Sequence, residues 1–208
     1  MPKSSLVRLA LAASMSTLLA GAPAIVLAQA SDPAAARIDS FDAAVIKTMQ
    51  AGKAAGAAGR AKVIGPVMED AFDLPFMARV AIGPDWAKMP ADDQAALLKA
   101  YSRYAVANFA KNFDSYSGQK LDLDGPVQTR GADKLVKTKL TGGGANVSLA
   151  YRMRDNGQGW KVIDVYYNST ISQITTQRSD FASTLSSGGA KALIAKLDAQ
   201  TDKLLKAG

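Results

Sequence analysis

The sequence predicts an α+β fold, in which helices from both ends of the chain cover an antiparallel sheet of about four strands. Apolar residues recur at helical spacing in the first half of the chain, and after residue 116 their period changes to the two-residue alternation of strands. The helical spacing returns after residue 168. We expect the helices and the sheet to enclose an apolar cavity, since folds with such layers bind ligands between them.

The first 30 residues have the three parts of a secretory signal peptide. Lys3 and Arg8 form a basic start, a mostly apolar stretch follows at 9–19, and Ala28-Gln29-Ala30 is a small-residue cleavage site. We therefore predict export with cleavage near Ala30, and a single domain over residues 31–208. An uncleaved anchor helix is the alternative, although serine, threonine, glycine and proline residues weaken this segment as a membrane span.

The residue types that are absent exclude most classes of enzyme. The chain has no Cys and no His, which excludes disulfides, thiolate nucleophiles, Ser-His-Asp triads and His-bound zinc. An enzyme would have to rely on Asp, Glu, Tyr or Lys alone. We therefore predict that the protein is not an enzyme and has no catalytic residue, no metal site and no cofactor.

The charge balance is basic but dispersed. The chain has 25 Lys and Arg residues against 18 Asp and Glu, and removal of Lys3 and Arg8 leaves a net charge of +5. Nucleic-acid binders commonly show a stripe of basic residues interleaved with exposed aromatic residues, and the sequence has no such stripe. We expect mild attraction to anionic surfaces and no nucleic-acid partner.

The first helix is predicted over residues 38–50, where four apolar residues recur at spacings of three and four: Ile38, Phe41, Val45 and Met49. The segment 51–62 that follows is low in complexity and rich in Gly and Ala. We predict a loose hinge there, with a poorly ordered helix end as the alternative.

A second helical segment, divided by prolines, is predicted over residues 63–82. It leads into the stretch FDLPFMARVAIGPDWAKMP (72–90), which contains many large apolar side chains, three prolines and no residue type that suggests catalysis. We interpret this stretch as part of the lining of an apolar cavity for a lipid.

The third helix starts at Pro90 and has Asp92 and Asp93 in its first turn, where the helix dipole favours acidic residues. One of its faces is marked by an apolar stripe: Leu98, Tyr101, Ala105, Phe109, Phe113 and Tyr116. Packing in a filled core and lining of a cavity both require such a stripe, and the sequence does not separate the two.

Turn signals at 124–126, 142–144 and 155–157 divide residues 120–168 into four strands of an antiparallel meander. The third strand, 146–154, alternates apolar and polar residues. The fourth, 160–168, is apolar on nearly both faces, so we predict a central position for it, with three side chains pointing together: Ile163, Val165 and Tyr167. Two helices, 172–185 and 190–206, are predicted to close the chain after a break at Gly188-Gly189.

Several blocks of the sequence resemble the MlaC, or toluene-tolerance, family. They are FDLPFMARVAIGPDW, the aromatic spacing of the third helix, YRMRDNGQGWKVIDVYYN, and QRSDFASTL followed by LIAKL. The resemblance extends from about Ile38 to Leu197. It implies a fold similar to nuclear transport factor 2 with added helices. It also implies a periplasmic lipid carrier that shuttles lipid between membrane-bound complexes of the inner and outer membranes.

The segment YYNSTISQITTQRSDF (166–181) departs from the commoner pattern of the family and is similar to the HpnM branch, which is encoded beside hopanoid genes. The cargo that the resemblance implies is therefore a phospholipid or a hopanoid. We expect the carrier to be a monomer. The predicted lipid-binding residues are Phe72, Phe76, Met77, Val80, Tyr101, Ala105, Phe109, Leu149, Tyr151, Val165, Tyr167, Ile171 and Ile174.

Three polar residues have alternative interpretations. Asp164 lies in an apolar strand beside two tyrosines, a setting in which isomerases use a buried Asp base, but we favour an ion pair with a nearby Lys or Arg. Arg79 and Arg178 are candidates for holding a headgroup phosphate, and ordinary surface ion pairs explain either of them equally well.

Three functions follow from these alternatives. A lipid carrier is the leading one, and a small enzyme that acts on an apolar substrate in the same pocket is the second. The third is a structural adaptor of a membrane complex, which would have a filled core and no ligand.

Overall fold

A layer of five helices covers one face of a six-stranded antiparallel sheet in the part of the chain that the structure describes. The computed structural model describes residues 32–206, so the predicted signal peptide lies outside it. The α+β class predicted from the sequence is confirmed. No helix within 32–206 combines the length and the apolar character that crossing a membrane requires. The helices are α1 (Pro33–Ala51), α2 (Gly56–Ala71), α3 (Leu74–Ile82), α4 (Ala91–Asn112) and α5 (Gln173–Lys206).

The sheet has six strands, so the prediction of about four is wrong. A turn at Gly131, with a φ of 63°, splits the second predicted strand into a short and a long strand, and a two-residue strand is added at the far edge. The order is β1-β3-β4-β5-β6, and β2 pairs with the other end of β3. The strands are β1 (Lys120–Leu123), β2 (Gln128–Arg130), β3 (Asp133–Gly142), β4 (Ala145–Asp155), β5 (Trp160–Tyr167) and β6 (Ile171–Ser172).

Strand β5 lies beside the short edge strand β6, so the prediction that it is central is also wrong. A register shift between β4 and β5 leaves Ile163 without a direct partner in β4. The extra residue interrupts the alternation of side chains. Val162 therefore belongs to the core on the helical side, with Val165 packed against the same core, in place of the predicted Ile163.

The segment 51–62 is helical, in contrast to the predicted loose hinge. A 3₁₀ turn (Lys53–Ala55) leads directly into α2. Only Gly52 and Gly56 have a positive φ in this segment, 64° and 62°, values that glycine adopts without steric cost. These two glycines redirect the chain so that α1 and α2 pack against each other.

Helix α4 ends at Asn112, before the end of the apolar stripe predicted for it. Phe113 follows as the C-terminal cap, and Tyr116 lies in the loop before β1 with 42% of its surface exposed. The two predicted C-terminal helices are present as one span, α5, which is broken at Gly189 by a φ of 65° and a ψ of −160°.

The core is built around the ring of Phe41 in α1, which is fully buried. Three aromatic rings meet it edge to face: Phe72 at 4.9 Å, Phe109 at 5.3 Å and Tyr151 at 6.0 Å between ring centroids. They come from the chain just after α2, from α4 and from β4. One side chain therefore joins the first helix to the helical layer and to the sheet.

A buried arginine ties the helical layer together. Arg60 of α2 is fully buried, and its Nε and Nη1 donate to the carbonyl oxygens of Ala110 and Gly52, both at 2.8 Å. Gly52 caps the C-terminus of α1, and Ala110 lies in the last turn of α4. The guanidinium therefore lies at the partially negative ends of two helices, which favours its positive charge.

A second buried polar group, Asp42, lies on the core side of α1 and is 3% exposed. Burial raises the pKa of Asp42 to about 8. The nearby carboxylates of Asp39 and Asp122 act in the same direction, and the Tyr151 hydroxyl, 3.5 Å from Oδ1, opposes them. The folded protein therefore holds this carboxyl in its protonated form at neutral pH.

We expect the free energy of unfolding to fall as pH rises between about 4 and 8. The pKa of Asp42 is about 8 in the folded protein against an ordinary value of 3.8, so the folded state keeps a proton that the unfolded chain releases in this window. The stability that this proton contributes is fully present below the unfolded pKa of 3.8 and is lost as pH rises through the folded pKa of about 8. The slope from this group is at most about 1.4 kcal/mol per pH unit.

Urea unfolding of Asp42→Asn at pH values from 5 to 9 checks this expectation, because the amide cannot titrate and should remove most of the slope. Asp39→Asn, on the exposed side of the same helix, is the matched control and should keep most of it. An Asp42→Asn protein whose unfolding free energy follows pH as steeply as that of the wild type would contradict the assignment.

Candidate functional site

A cavity of about 570 Å³ lies between the helical layer and the inner face of the sheet, the face turned toward the helices. Its walls come from all five helices, from β3, β4 and β5, and from the loop between α4 and β1. Ligand sites in proteins commonly have volumes of about 300–1,000 Å³. The space is therefore large enough for a sizeable part of an organic ligand.

The larger part of the lining is apolar. Thioether, aliphatic and aromatic side chains from the helices face aliphatic side chains from the sheet. They are Met49, Met68, Phe72, Met77, Tyr101, Ala105, Phe109, Phe113, Leu140, Ala145, Val147, Leu149 and Val165. Water inside such a lining would find few hydrogen-bond partners, so the cavity favours an apolar occupant.

The spacing of apolar residues in α4 and β4 explains why these residues line the cavity. Tyr101, Ala105 and Phe109 recur every four residues in α4 and so lie along one face of the helix. Ala145, Val147 and Leu149 alternate along β4 and so point to the same side of the sheet. Both regular elements thus present continuous apolar surfaces to the same space.

One part of the lining is polar and consists mainly of amides. Asp114 is the single carboxylate among the described residues that line the cavity, and no Lys or Arg is among them. Tyr167 has 43% of its surface exposed, which places this side chain at the mouth. The other polar lining residues are Asn108, Asn112, Ser115, Gln119, Gln173 and Gln177.

Tyr101 brings a hydroxyl group into the apolar wall, and this group is paired. Its hydroxyl donates to Oε1 of Gln177 at 2.8 Å, and its ring meets Phe181 edge to face at 6.5 Å. Burial raises the pKa of Tyr101 far above its ordinary value, and the charge of Asp164 adds to the effect. The group is therefore a neutral hydrogen-bond donor at neutral pH.

Eight of the thirteen residues predicted to bind lipid line this cavity. They come from the segment after α2, from α3, from the middle of α4 and from two neighbouring strands. They are Phe72, Met77, Tyr101, Ala105, Phe109, Leu149, Val165 and Tyr167.

Three of the remaining five belong to other surroundings. Tyr151 is fully buried against Phe41, so it is a core residue behind the wall. Val80 is partly buried and packs against the core. Phe76 lies under the guanidinium of Arg154, whose central carbon is 5.5 Å from the ring centroid.

The last two, Ile171 and Ile174, flank the start of α5. Ile171 is in strand β6 and has 53% of its surface exposed, whereas Ile174 is 6% exposed and packs in the core. Neither lines the cavity. The apolar spacing that suggested them does not reveal that the chain forms a short edge strand here.

Several lining residues were missed by the sequence analysis. Leu140 and Val147 carried a usable signal, since they alternate with polar neighbours in β3 and β4. Met49 and Met68 carried none, because a methionine in a helical stripe fits a filled core equally well. The lining amides carried none either, since nothing local separates them from ordinary surface residues.

The ion pair predicted for Asp164 is wrong. Its carboxylate accepts hydrogen bonds from the Val165 amide at 2.8 Å, the Ser172 hydroxyl at 2.6 Å and the Ile174 amide at 3.2 Å. Arg152, which is opposite it in β4, pairs with Asp133 instead. Asp164 therefore joins β5 to β6 and to the start of α5. It does not line the cavity.

Arg79 and Arg178 also lie outside the lining of the cavity. The guanidinium of Arg178 packs against Gly83, where an added Cβ would come within 2.8 Å of Nη2. Within residues 32–206 neither arginine is in an ion pair. The surface ion pairs considered for them from the sequence are therefore not formed among these residues, and the headgroup role stays a prediction.

Comparison with solved structures identifies a similar fold. A phospholipid-binding protein from Ralstonia solanacearum, solved in complex with a phospholipid, aligns with a TM-score of 0.72. The alignment covers 83% of this chain and 99% of that chain at 20% sequence identity, so it shows the likeness of the folds.

Comparison of the sequence with curated proteins finds no match. The sequence model of the MlaC protein family, in contrast, matches residues 39–199. This range extends from the first turns of α1 to the last turns of α5 and includes every residue that lines the cavity. The chain belongs to the MlaC family.

Proposed function

We propose that the protein is a periplasmic lipid carrier that holds the apolar part of a phospholipid or a hopanoid in the cavity. The observation that carries the proposal is the division of the lining into a large apolar wall and a smaller set of amides and hydroxyls. Such a lining accepts an apolar chain or ring system and leaves hydrogen-bonding groups for a polar headgroup. The solved relative in fold, which is in complex with a phospholipid, supports the same class of ligand.

The energetics of lipid in water explain why a carrier needs such a cavity. Each methylene group exposed to water costs about 0.8 kcal/mol, so a sixteen-carbon chain crossing an aqueous compartment unaided costs roughly 12 kcal/mol. A cavity nearly as apolar as the bilayer offsets most of this cost. The free energy of the lipid is then similar in the cavity and in the bilayer, as transport in either direction requires.

The absence of basic residues from the lining supports release as well as binding. Among the described residues that line the cavity there is no Lys or Arg to hold a phosphate by a buried ion pair. Neutral amides give weaker hydrogen bonds than charged groups. The headgroup is then held loosely at the mouth, and hydrogen-bonding groups of a phospholipid or of a hopanoid are both accommodated.

The assignment of residues to the lipid is part of the proposal. We assign contacts with the apolar moiety to the eight predicted residues that line the cavity, Met77 among them, and to two further lining methionines, Met49 and Met68. Methionine is flexible and polarisable, so these side chains adapt to ligands of different shape. This property fits a carrier whose cargo is either a flexible chain or a rigid ring system.

The cellular location, the oligomeric state and the partner complexes are also part of the proposal. Proteins of the MlaC family are periplasmic, which agrees with the signal peptide expected from residues 1–30. We propose that the chain is a monomer and that it shuttles lipid between complexes of the inner and outer membranes. The HpnM branch, a hopanoid cargo and a likeness to nuclear transport factor 2 stay predictions from the sequence resemblance.

Val165→Trp should reduce bound lipid and slow lipid exchange between donor and acceptor vesicles, while the variant folds almost normally. The indole would project from β5 into the cavity and occupy space proposed for the acyl chain. Tyr167→Trp, at the mouth of the cavity, should have a smaller effect in the same direction. Vesicle exchange with a fluorescent phospholipid and urea unfolding measure the two properties separately.

Val162→Trp is the matched control, because Val162 is on the same strand, is fully buried and packs in the core away from the cavity. It should cost on the order of 1–3 kcal/mol of stability through overpacking. The assignment of the cavity would be wrong if Val165→Trp lost as much stability as Val162→Trp and its folded fraction kept a full load of lipid.

Asp164→Asn tests the catalytic role that the sequence analysis considered for Asp164, a residue outside the lining of the cavity. The amide cannot accept all three hydrogen bonds of Asp164 equally well, so we expect a loss of about 1–3 kcal/mol in stability. Lipid exchange per folded molecule should stay near the wild-type rate, measured well below the unfolding temperature. Loss of a measurable chemical turnover, with lipid binding retained, would support the enzyme instead.

A further inference from the structure

The outer face of the sheet, turned away from the helical layer, is basic. The outward-facing side chains of β1 to β4 include six Lys or Arg and two Asp, a net charge of +4. The acids are Asp122 and Asp133. The bases are Lys120, Arg130, Lys137, Lys139, Arg152 and Arg154.

Four of these six bases are free to meet an external anion. Within residues 32–206, Lys120, Arg130, Lys137 and Lys139 are in no ion pair. The other two share the buried carboxylate of Asp133, which lies 2.5 Å from Arg152 and 2.6 Å from Arg154. The fold therefore concentrates uncompensated positive charge on one surface.

This basic face surrounds a hollow of about 330 Å³ that reaches the turn between β5 and β6. Arg130, Lys137, Arg152 and Tyr166 line the hollow from the sheet, and Ser169 lines it from the turn. Successive residues of a strand point to opposite faces. Tyr166 accordingly faces the hollow, and the next residue, Tyr167, lines the mouth of the lipid cavity on the other side.

Large exposed apolar side chains gather near the same mouth. Tyr167 and Ile171, 43% and 53% exposed, are directly paired across the hairpin of β5 and β6. Tyr116, 42% exposed, directly follows the lining residue Ser115. We call these three residues the apolar rim.

The hairpin contains a turn whose two central residues are both in the left-handed region. Asn168 and Ser169 have φ of 49° and 60°, and the Thr170 amide donates to the Tyr167 carbonyl at 3.2 Å. Turns of this kind match the twist of the flanking strands and are favoured in hairpins. The turn keeps Tyr167 and Ile171 side by side.

We propose that the basic face and the apolar rim together dock the protein on a bilayer surface that carries anionic phospholipids. The basic hollow and the apolar rim lie on the two sides of the β5–β6 hairpin, so the protein docks with this edge of the sheet toward the bilayer. The bases around the hollow lie over the headgroups, the rim enters the interface, and the mouth of the cavity lies beside the membrane. The inference rests on the proposed function, because docking in this way would let the cargo enter or leave without crossing water. Docking itself is measured whether or not a lipid is transferred.

The chemistry of the two surfaces favours a bilayer over an acidic protein. Tyrosine is enriched where membranes meet water, because its ring is apolar and its hydroxyl stays hydrated. Basic residues dispersed over a wide face suit a continuous layer of anionic headgroups. A protein partner would bury an apolar centre, whereas the apolar residues of the outward-facing set on β1–β4, Leu135 and Ala150, are both already buried.

Co-sedimentation of the mature protein with vesicles tests the proposal. We expect binding to vesicles of phosphatidylcholine mixed with phosphatidylglycerol, weaker binding as salt is raised, and little binding to phosphatidylcholine alone. Lys137→Glu combined with Lys139→Glu should weaken the binding about tenfold or more. Ile171→Ser should weaken it less, and by a factor that does not depend on salt.

Lys47→Glu combined with Lys99→Glu is the matched control, since it makes the same change of net charge on exposed positions of α1 and α4. It should leave vesicle binding nearly unchanged. Equal weakening by both double variants would overturn the proposal, as would absence of binding to anionic vesicles. The amount of bound lipid, measured by native mass spectrometry, should be the same in the two double variants. A protein that carries lipid but does not dock would therefore contradict this inference alone.

Discussion

The contact of Phe41 with three other aromatic rings is the interaction on which the rest of the structure depends. Phe72 and Phe109 touch Phe41 on one side and line the cavity on the other. Tyr151 extends the same cluster into the sheet. The wall of the cavity is therefore the outer surface of the core, and its shape is fixed by packing that does not involve the ligand.

Two polar contacts fix elements around the cavity relative to one another. Arg60 joins the C-terminal ends of α1 and α4 within the helical layer, and Asp164 joins β5 to the start of α5. A lipid in the cavity would supply the contacts that the empty space lacks.

The sequence was sufficient to predict features that depend on the local spacing of apolar residues. It was not sufficient for features that depend on contacts between distant parts of the chain. The period of α4 and the alternation of β4 were sufficient to place Tyr101, Ala105 and Leu149 on the cavity side. The bulge at Ile163 and the two-residue strand β6 depend on pairing with other strands, so no local pattern reveals them. The ion pair expected for Asp164 failed for the same reason, because two of its three donors, Ser172 and Ile174, come from the chain that folds back beside β5.

Native mass spectrometry of the protein purified without detergent tests the central claim most directly, since it detects any lipid that the cavity holds. The account predicts near one equivalent of lipid per chain, released by organic extraction. It also predicts that delipidated protein unfolds at a lower temperature and recovers when phospholipid or hopanoid is added back. Protein that is free of lipid as purified, and whose unfolding temperature is the same with and without added lipid, would contradict it.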